Sequence, residues 1–401
     1  MNILGVWMWP QSIRERGAQH TVSLCRRAGV TDIFFLVKGL AGTTAHLSRL
    51  APACCERDLL DELLAAAHAQ GVRVHAWLTS ASDEHYKRQH PESGRCHYVR
   101  GKDNGLISLA DGGYLHYMER IVRELCAGYA IDGLHLDYIR YNHLLYGWAL
   151  EDLERYAAQG ADIARLRAMM DKTFIAEDKD PEHIFDAFRA GDKDALALAR
   201  ARRQDVVRFA SRLIRAAREE KSDLLLSAAL MPEGAYDDTA FADLHYGQNY
   251  EDAAALYDLA LPMAYSKAYE KDSQWVRSVA QGTLRRGLKT VMGLHAYDGG
   301  TGPSLAGDIA ALDVSSVSGI CLFREGACVF SFACGQTLTV FNPLSQPLTR
   351  VIAGAAEQSA ELECSISPGE AMRFALPFTP DAVRAFAGNA EQCVYLTQER
   401  Q

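Results

Sequence analysis

Eight times within its first 325 residues the chain presents a short, nearly continuous apolar run, and segments with helical periodicity alternate with these runs. The runs are Ile3 to Met8, Thr31 to Val37, Val72 to Leu78, Ala130 to Asp137, Leu224 to Leu230, Tyr257 to Tyr265, Leu288 to His295 and Val317 to Phe323. A strand that is apolar on both faces must be covered on both, which is the situation of a parallel sheet wrapped by helices. Helices are read at Gln19 to Ala28, Arg57 to Gln70, Gly113 to Gly128, Val206 to Arg218, Ser273 to Arg286 and Leu305 to Leu312. The count of eight such strands alternating with helices selects a closed (β/α)8 barrel of the α/β class, the TIM-barrel architecture. The competing arrangement is an open doubly wound sheet. Against it, Trp9-Pro10 follows the first strand in place of a phosphate-binding glycine loop, and neither GxGxxG nor GxxxxGK[ST] occurs.

Two regions leave this rhythm. Glu151 to Asp205 holds thirteen acidic and ten basic residues in 55 and is helix-prone, so residues of about 142–205 read as a helical insertion after the fourth strand, either a lid over the site or a solvated excursion. Beyond the barrel at 1–325, short β-type runs recur at Cys328 to Phe332, Gln336 to Phe341, Leu348 to Ile352, Glu361 to Ile366 and Ala371 to Leu376. They predict a small antiparallel, β-sandwich-like domain over 326–401 that packs on the barrel's flank.

Charge and cysteine usage narrow the partners. The net charge of −9 and the lack of a long basic block argue against nucleic acid or an anionic membrane surface. No run reaches the 18 apolar residues of a membrane span and the chain starts without a basic leader, which predicts a cytoplasmic protein. The ten cysteines show no CxxC and read as reduced core residues, with Cys54-Cys55 an adjacent pair in a turn. The thirteen histidines contain no HExxH or HxH, so neither a metal nor a cofactor is expected, and the oligomeric state is left open.

In such a barrel the site is assembled at the C-terminal ends of the strands. That rule gathers Trp7 and Trp9, Lys38, Trp77 and Thr79, Asp137, Arg140 and Tyr141, Glu233, Tyr265 and Lys267, His295, Tyr297 and Asp298, and Arg324. Alternation along the fourth strand places Gly133, His135 and Asp137 on one face. Aromatic faces stack on the C–H faces of sugar rings while carboxylates and amides bind hydroxyls, so the set fits a small glycoside or oligosaccharide. Gln248, on the rim after Glu233, is expected to hold a sugar hydroxyl. Glycoside cleavage needs one carboxylate at the oxocarbenium-like centre and a second carboxyl to protonate the departing oxygen, roles that fall to Asp137 and Glu233. Arg140, with Tyr138 or Tyr141, is expected to hold Asp137 by hydrogen bonds.

Asp132 to Tyr141, Asp-Gly-Leu-His-Leu-Asp-Tyr-Ile-Arg-Tyr, resembles the fourth-strand motif of the glycoside-hydrolase-like barrels of the glycosyl hydrolase-like 10 type, distantly similar to α-amylase-type barrels. Val74-His75-Ala76-Trp77, Ser227 to Glu233, Tyr246 to Tyr250 and Pro262 to Tyr265 extend the similarity to about residue 325. The resemblance implies a fourth-strand Asp nucleophile at Asp137 and a fifth-strand Glu acid/base at Glu233, hence a retaining glycoside hydrolase, and it adds His75 and His135 to the substrate-binding set. The chitinase-like barrels carry their catalytic Glu where this chain has Ile139, which speaks against their substrate-assisted mechanism. Two alternatives accompany the hydrolase reading: a barrel that only binds carbohydrate or serves as a scaffold, and a transglycosylase using the same pocket.

Overall fold

The computed structural model describes residues 3–296, 305–313 and 315–398. Eight parallel strands form one sheet: β1 Ile3–Met8, β2 Asp32–Lys38, β3 Arg73–Thr79, β4 Gly133–Asp137, β5 Leu225–Leu230, β6 Leu259–Pro262, β7 Val291–His295 and β8 Gly319–Phe323. They follow the order β6-β5-β4-β3-β2-β1-β8-β7. Bridges Ala260 to Thr290 and Met263 to Gly293 join β6 to β7 and bring the barrel almost to closure. Every expected strand is present, the sixth being shorter than the apolar run that announced it. The apolar residues divide as two-faced strands require. One cluster lies between strands and helices, and a smaller one, with Trp7, Phe34, Trp77, Leu261 and Cys321, fills the barrel's interior.

The fourth-strand motif is largely scaffold. Asp132 accepts hydrogen bonds from the Val74 N–H at 2.8 Å and from His68 Nε2 at 2.9 Å, pinning the start of β4 to β3. Gly133 is needed because a Cβ there would collide with Nδ1 of His75.

The insertion carries helices Leu150–Ala158, Ile163–Phe174 and His183–Arg189 around a core of its own that includes Leu144, Trp148, Tyr156, Met170, Phe185 and Leu198. Its last helix, Lys193–Glu220, is the expected barrel helix begun thirteen residues early. Asp192 caps it by accepting from the Asp194 and Ala195 N–H groups, and no glycine or proline interrupts it, so nothing separates insertion from barrel. The polar stretch after β3 contains a hairpin, Gly94–His97 with Gly101–Ile107, where the sequence reads as loop. A side chain and a tertiary contact secure its ladder: buried Arg95 donates across it to the Ile107 carbonyl at 2.7 Å, and Tyr98 packs on Trp148 of the insertion.

The C-terminal strands form two four-stranded sheets with a separate apolar core. Pairing is antiparallel except that Val329–Cys334 and Val394–Gln398 run parallel, which the expected all-antiparallel arrangement does not include. These sheets meet the helices after β1, where Arg16 donates to the Pro343 carbonyl and forms an ion pair with Glu325, and Arg27 lies over Phe332. Among the described residues no helix is long and apolar enough to cross a membrane, all ten cysteines are free thiols, and no three metal-ligating side chains cluster.

Candidate active site

Asp137 ends β4 at the barrel mouth and is 6 % exposed. The next residue, Tyr138, has φ 55°, a left-handed turn unusual for a tyrosine, and this folds its main-chain N–H back onto Asp137 Oδ1 at 2.7 Å. The Trp77 indole N–H, from β3, donates to the other oxygen at 3.1 Å. Two donors on two oxygens fix the plane of the carboxylate. The expected clamp is met by Tyr138, through its main-chain N–H, and corrected for Arg140 and Tyr141, neither of which hydrogen-bonds Asp137, because the sharp turn after β4 brings the main chain nearer than either of those side chains. Burial raises the Asp137 pKa, partly opposed by the charge of Arg140, the Tyr138 N–H and the Trp77 indole.

Glu233 lies beyond the adjacent strand, in the single turn Pro232–Ala235 that follows β5. Gln248 and Tyr250 hold this turn: Gln248 Oε1 accepts the Met231 N–H at 3.0 Å, and the Tyr250 hydroxyl donates to the Met231 carbonyl at 2.9 Å. Gln248 Nε2 faces the carbonyls of Ile139 and Ala229, so its amide is consumed by backbone and is not available to a sugar hydroxyl. The Tyr246 hydroxyl approaches Glu233 Oε1 at 3.5 Å, whereas Oε2 is buried without a hydrogen-bond partner. Burial raises the Glu233 pKa, with smaller lowering effects from its own main chain, Tyr246, Arg140 and Tyr269. The Arg140 guanidinium sits 5.0 Å from the Tyr138 ring and 5.9 Å from that of Tyr246, and its charge acts on both carboxyl groups.

Beneath the mouth, Trp7 is 1 % exposed and donates its indole N–H to His135 Nε2 at 3.1 Å. That nitrogen is thus the acceptor, Nδ1 carries the proton, and it donates to Ser227 Oγ at 2.9 Å. Burial keeps this imidazole neutral by holding its pKa far below normal. His75 lies deeper still, bonded to Asp32 at 2.7 Å and stacked on Phe34. Trp7, His75 and His135 therefore form the floor of the barrel and not a surface for substrate.

Two further expectations are corrected by the partners these side chains find. Lys38 is fully buried in an ion pair with Asp83 at 2.8 Å, and Thr79 donates to the Lys38 carbonyl. Tyr141 is buried between the guanidinium groups of Arg95 and Arg202 and donates to Asp205 of the long helix at 2.7 Å, so it docks the insertion. Removing one member of a buried pair strands the other charge, so Lys38→Met should lower stability by roughly 3–5 kcal/mol in chemical denaturation.

On the opposite side of the mouth Trp9 is part-buried under Arg324, whose guanidinium lies 3.8 Å from its ring. Tyr265 stacks on Phe323 at 5.6 Å and meets His295 at 5.7 Å. Burial, with the nearby Lys267 charge second, lowers the His295 pKa to about 4. Tyr297 and Asp298 lie outside the described residues. Reasoning from sequence left Tyr246 and Tyr269 out of the site set. Tyr269 stands four residues past Tyr265 in the loop after β6, a spacing that could have suggested it; Tyr246 depends on a helix type with no sequence signature.

No family model matches the chain, and no curated protein matches it, so the resemblance read from the fourth-strand motif rests on those residues alone. Solved structures do match in fold. The PgaB (BpsB) glycoside hydrolase domain from Bordetella bronchiseptica superposes with a TM-score of 0.63 at 16 % identity, over 81 % of this chain and 94 % of that one. The β-galactosidase from the psychrophilic Marinomonas ef1 matches with 0.57 at 15 % identity, over 80 % of this chain and 54 % of that one. A GH42 β-galactosidase from G. stearothermophilus matches with 0.56 at 14 % identity, over 81 % and 51 %. The chain thus spans about half the length of these two β-galactosidases. It has the barrel fold found in glycoside hydrolases.

Proposed function

We propose that this chain is a glycoside hydrolase that cleaves O-glycosidic bonds with retention, using Asp137 as nucleophile and Glu233 as acid/base. The observation that carries the reading is the pair of carboxyl groups on adjacent strand ends, both acted on by the charge of Arg140, one clamped by two donors and the other with a buried, unpartnered oxygen. The difference in hydrogen bonding sorts the roles. Donors aimed at a carboxylate favour its ionised form, so the short bonds to both oxygens of Asp137 suit the nucleophile, while Glu233, whose one tyrosine contact within hydrogen-bond range is the 3.5 Å approach of Tyr246 to Oε1, suits the proton carrier. In the first step Asp137 bonds the anomeric carbon as the bond to the leaving oxygen breaks, and the Glu233 proton passes to that oxygen. In the second, Glu233 takes a proton from water, whose oxygen displaces Asp137. Trp9 and Tyr265 flank the mouth as stacking surfaces, and the fold shared with glycoside hydrolases is consistent with this chemistry.

A panel of aryl glycosides tests the proposal. Release of the aryl group from at least one sugar, with the first-formed product in the substrate's anomeric configuration by NMR, is the expected result. A first-formed product of opposite configuration would remove the nucleophile role from Asp137. Binding of sugars in calorimetry with no cleavage across the panel would replace the enzyme with a carbohydrate-binding barrel, and transfer of the glycosyl group to added sugar in preference to water would make it a transglycosylase.

A further inference from the structure

Residues Ala242–Tyr246 form one turn of π-helix, capped by Gly247 in the left-handed conformation at φ 63°. A turn closed by i to i+5 bonds is wider than an α-helical one, so residues four and five apart come to one side. Here it brings the Phe241 ring to 4.1 Å from His245 and 5.6 Å from Tyr246. The turn is held firmly. Arg202 donates to the Leu244 carbonyl at 3.1 Å, and a Cβ on Gly247 would come within 2.8 Å of the Arg202 main chain. Phe185 of the insertion stacks on Phe241 with ring planes 15° apart. Phe241 is nevertheless 39 % exposed, whereas His245 and Tyr246 are 3 % and 8 % exposed. Tyr246 is also the ring whose hydroxyl reaches Glu233. A run of adjoining rings thus leads from the Glu233 carboxyl, through Tyr246 with only a small part of its ring uncovered, outward to an open phenylalanine backed by the insertion.

We infer that Tyr246 and Phe241 form a leaving-side subsite, and that the substrate is an oligosaccharide whose sugars beyond the cleaved bond run across these two rings. The inference rests on the acid role proposed for Glu233. An acid delivers its proton to the leaving oxygen, so the departing part of the substrate lies on the acid's side of the cleft, and the surface next to Glu233 on that side is Tyr246, then Phe241. An uncharged, rigid ring open to solvent offers a face for the C–H side of a sugar at little cost in side-chain ordering. The insertion, on this reading, supplies the back wall of that subsite.

The test compares hexasaccharides with disaccharides of α-1,4-glucose, β-1,4-glucose, β-1,4-galactose and β-1,4-N-acetylglucosamine. Phe241→Leu keeps apolar packing on Phe185 and removes the ring face. It should lower the ratio of kcat/KM for hexasaccharide over disaccharide by roughly tenfold, and Phe241→Tyr should restore it. An unchanged ratio in Phe241→Leu, or a ratio lost equally in Phe241→Tyr, would overturn the subsite; the second result would mark a packing effect. Calorimetry on Asp137→Asn keeps the two proposals apart. If the parent cleaves nothing but Phe241→Leu weakens hexasaccharide binding in the Asp137→Asn background, the hydrolase reading falls and the saccharide subsite stands. If no oligosaccharide binds, the subsite is overturned as well.

Discussion

Asp137→Asn is expected to abolish turnover, by about four orders of magnitude or more in kcat, with sugar affinity and fold retained. The amide has the volume of the carboxylate but no charge with which to attack. The stability expectation follows from the bonds. Burial raises the Asp137 pKa, so folding favours the protonated form: the stability this group contributes is present below its unfolded pKa and is lost as pH rises through the folded value. A neutral amide removes that loss at neutral pH. It also sets an N–H2 group against one of two donors, the Tyr138 N–H or the Trp77 indole, forfeiting a hydrogen bond worth about 1 kcal/mol. The two effects oppose each other, and the variant should melt within a few degrees of the parent. Substantial activity of Asp137→Asn on every substrate the parent cleaves would exclude the nucleophile role.

Glu233→Gln is expected to lose about 100-fold or more on substrates with poor leaving groups and far less in the first step on activated aryl glycosides, which depart without a proton. Azide, a small nucleophile that needs no base, should restore turnover of the aryl substrates and give a glycosyl azide of retained configuration. The pH profile carries a second signature. The parent requires Asp137 ionised and Glu233 protonated, and burial raises both pKa values, so the bell-shaped profile should lie above the range of exposed carboxyls. Its alkaline limb belongs to Glu233 and should vanish in Glu233→Gln. Because burial outweighs the contacts that favour the Glu233 anion, and the amide can turn its N–H2 to the position of the unpartnered Oε2 and keep its oxygen toward Tyr246, the melting temperature of this variant at neutral pH should rise. An alkaline limb that survives the substitution would assign the acid to another group.

Much of the architecture was legible because each element declares itself through its own residues. A run such as Ile3 to Met8, buried at every position, is intelligible only as a strand covered on both faces, and eight of them leave little besides a barrel. The helix Lys193–Glu220 outruns its sequence signal for a related reason: the charged residues at its start look like insertion, while the absence of a breaker lets the helix continue through them. The hairpin at 94–107 was missed because its pairing is supported by Arg95 and by the insertion more than by any alternation of its own.

Sequence alone determined the order of the eight barrel strands, and the placement of Asp137 at the end of the fourth, because periodicity, caps and chain alternation act over a few residues. Tertiary structure alone decided which polar side chains are free for substrate, since their partners are chosen across the fold. Trp7 and His135 meet across 128 residues, Tyr141 reaches Asp205, and Gln248 reaches Ile139 across 109. Each of these groups stands beside a strand end in the linear reading, yet each is spent internally, because a buried donor or acceptor without a partner costs more than a new contact returns. Glu233 and Arg140, which the strand-end rule also gathers, depart from that behaviour, each keeping a buried polar atom without a partner, and only the packing around them shows it.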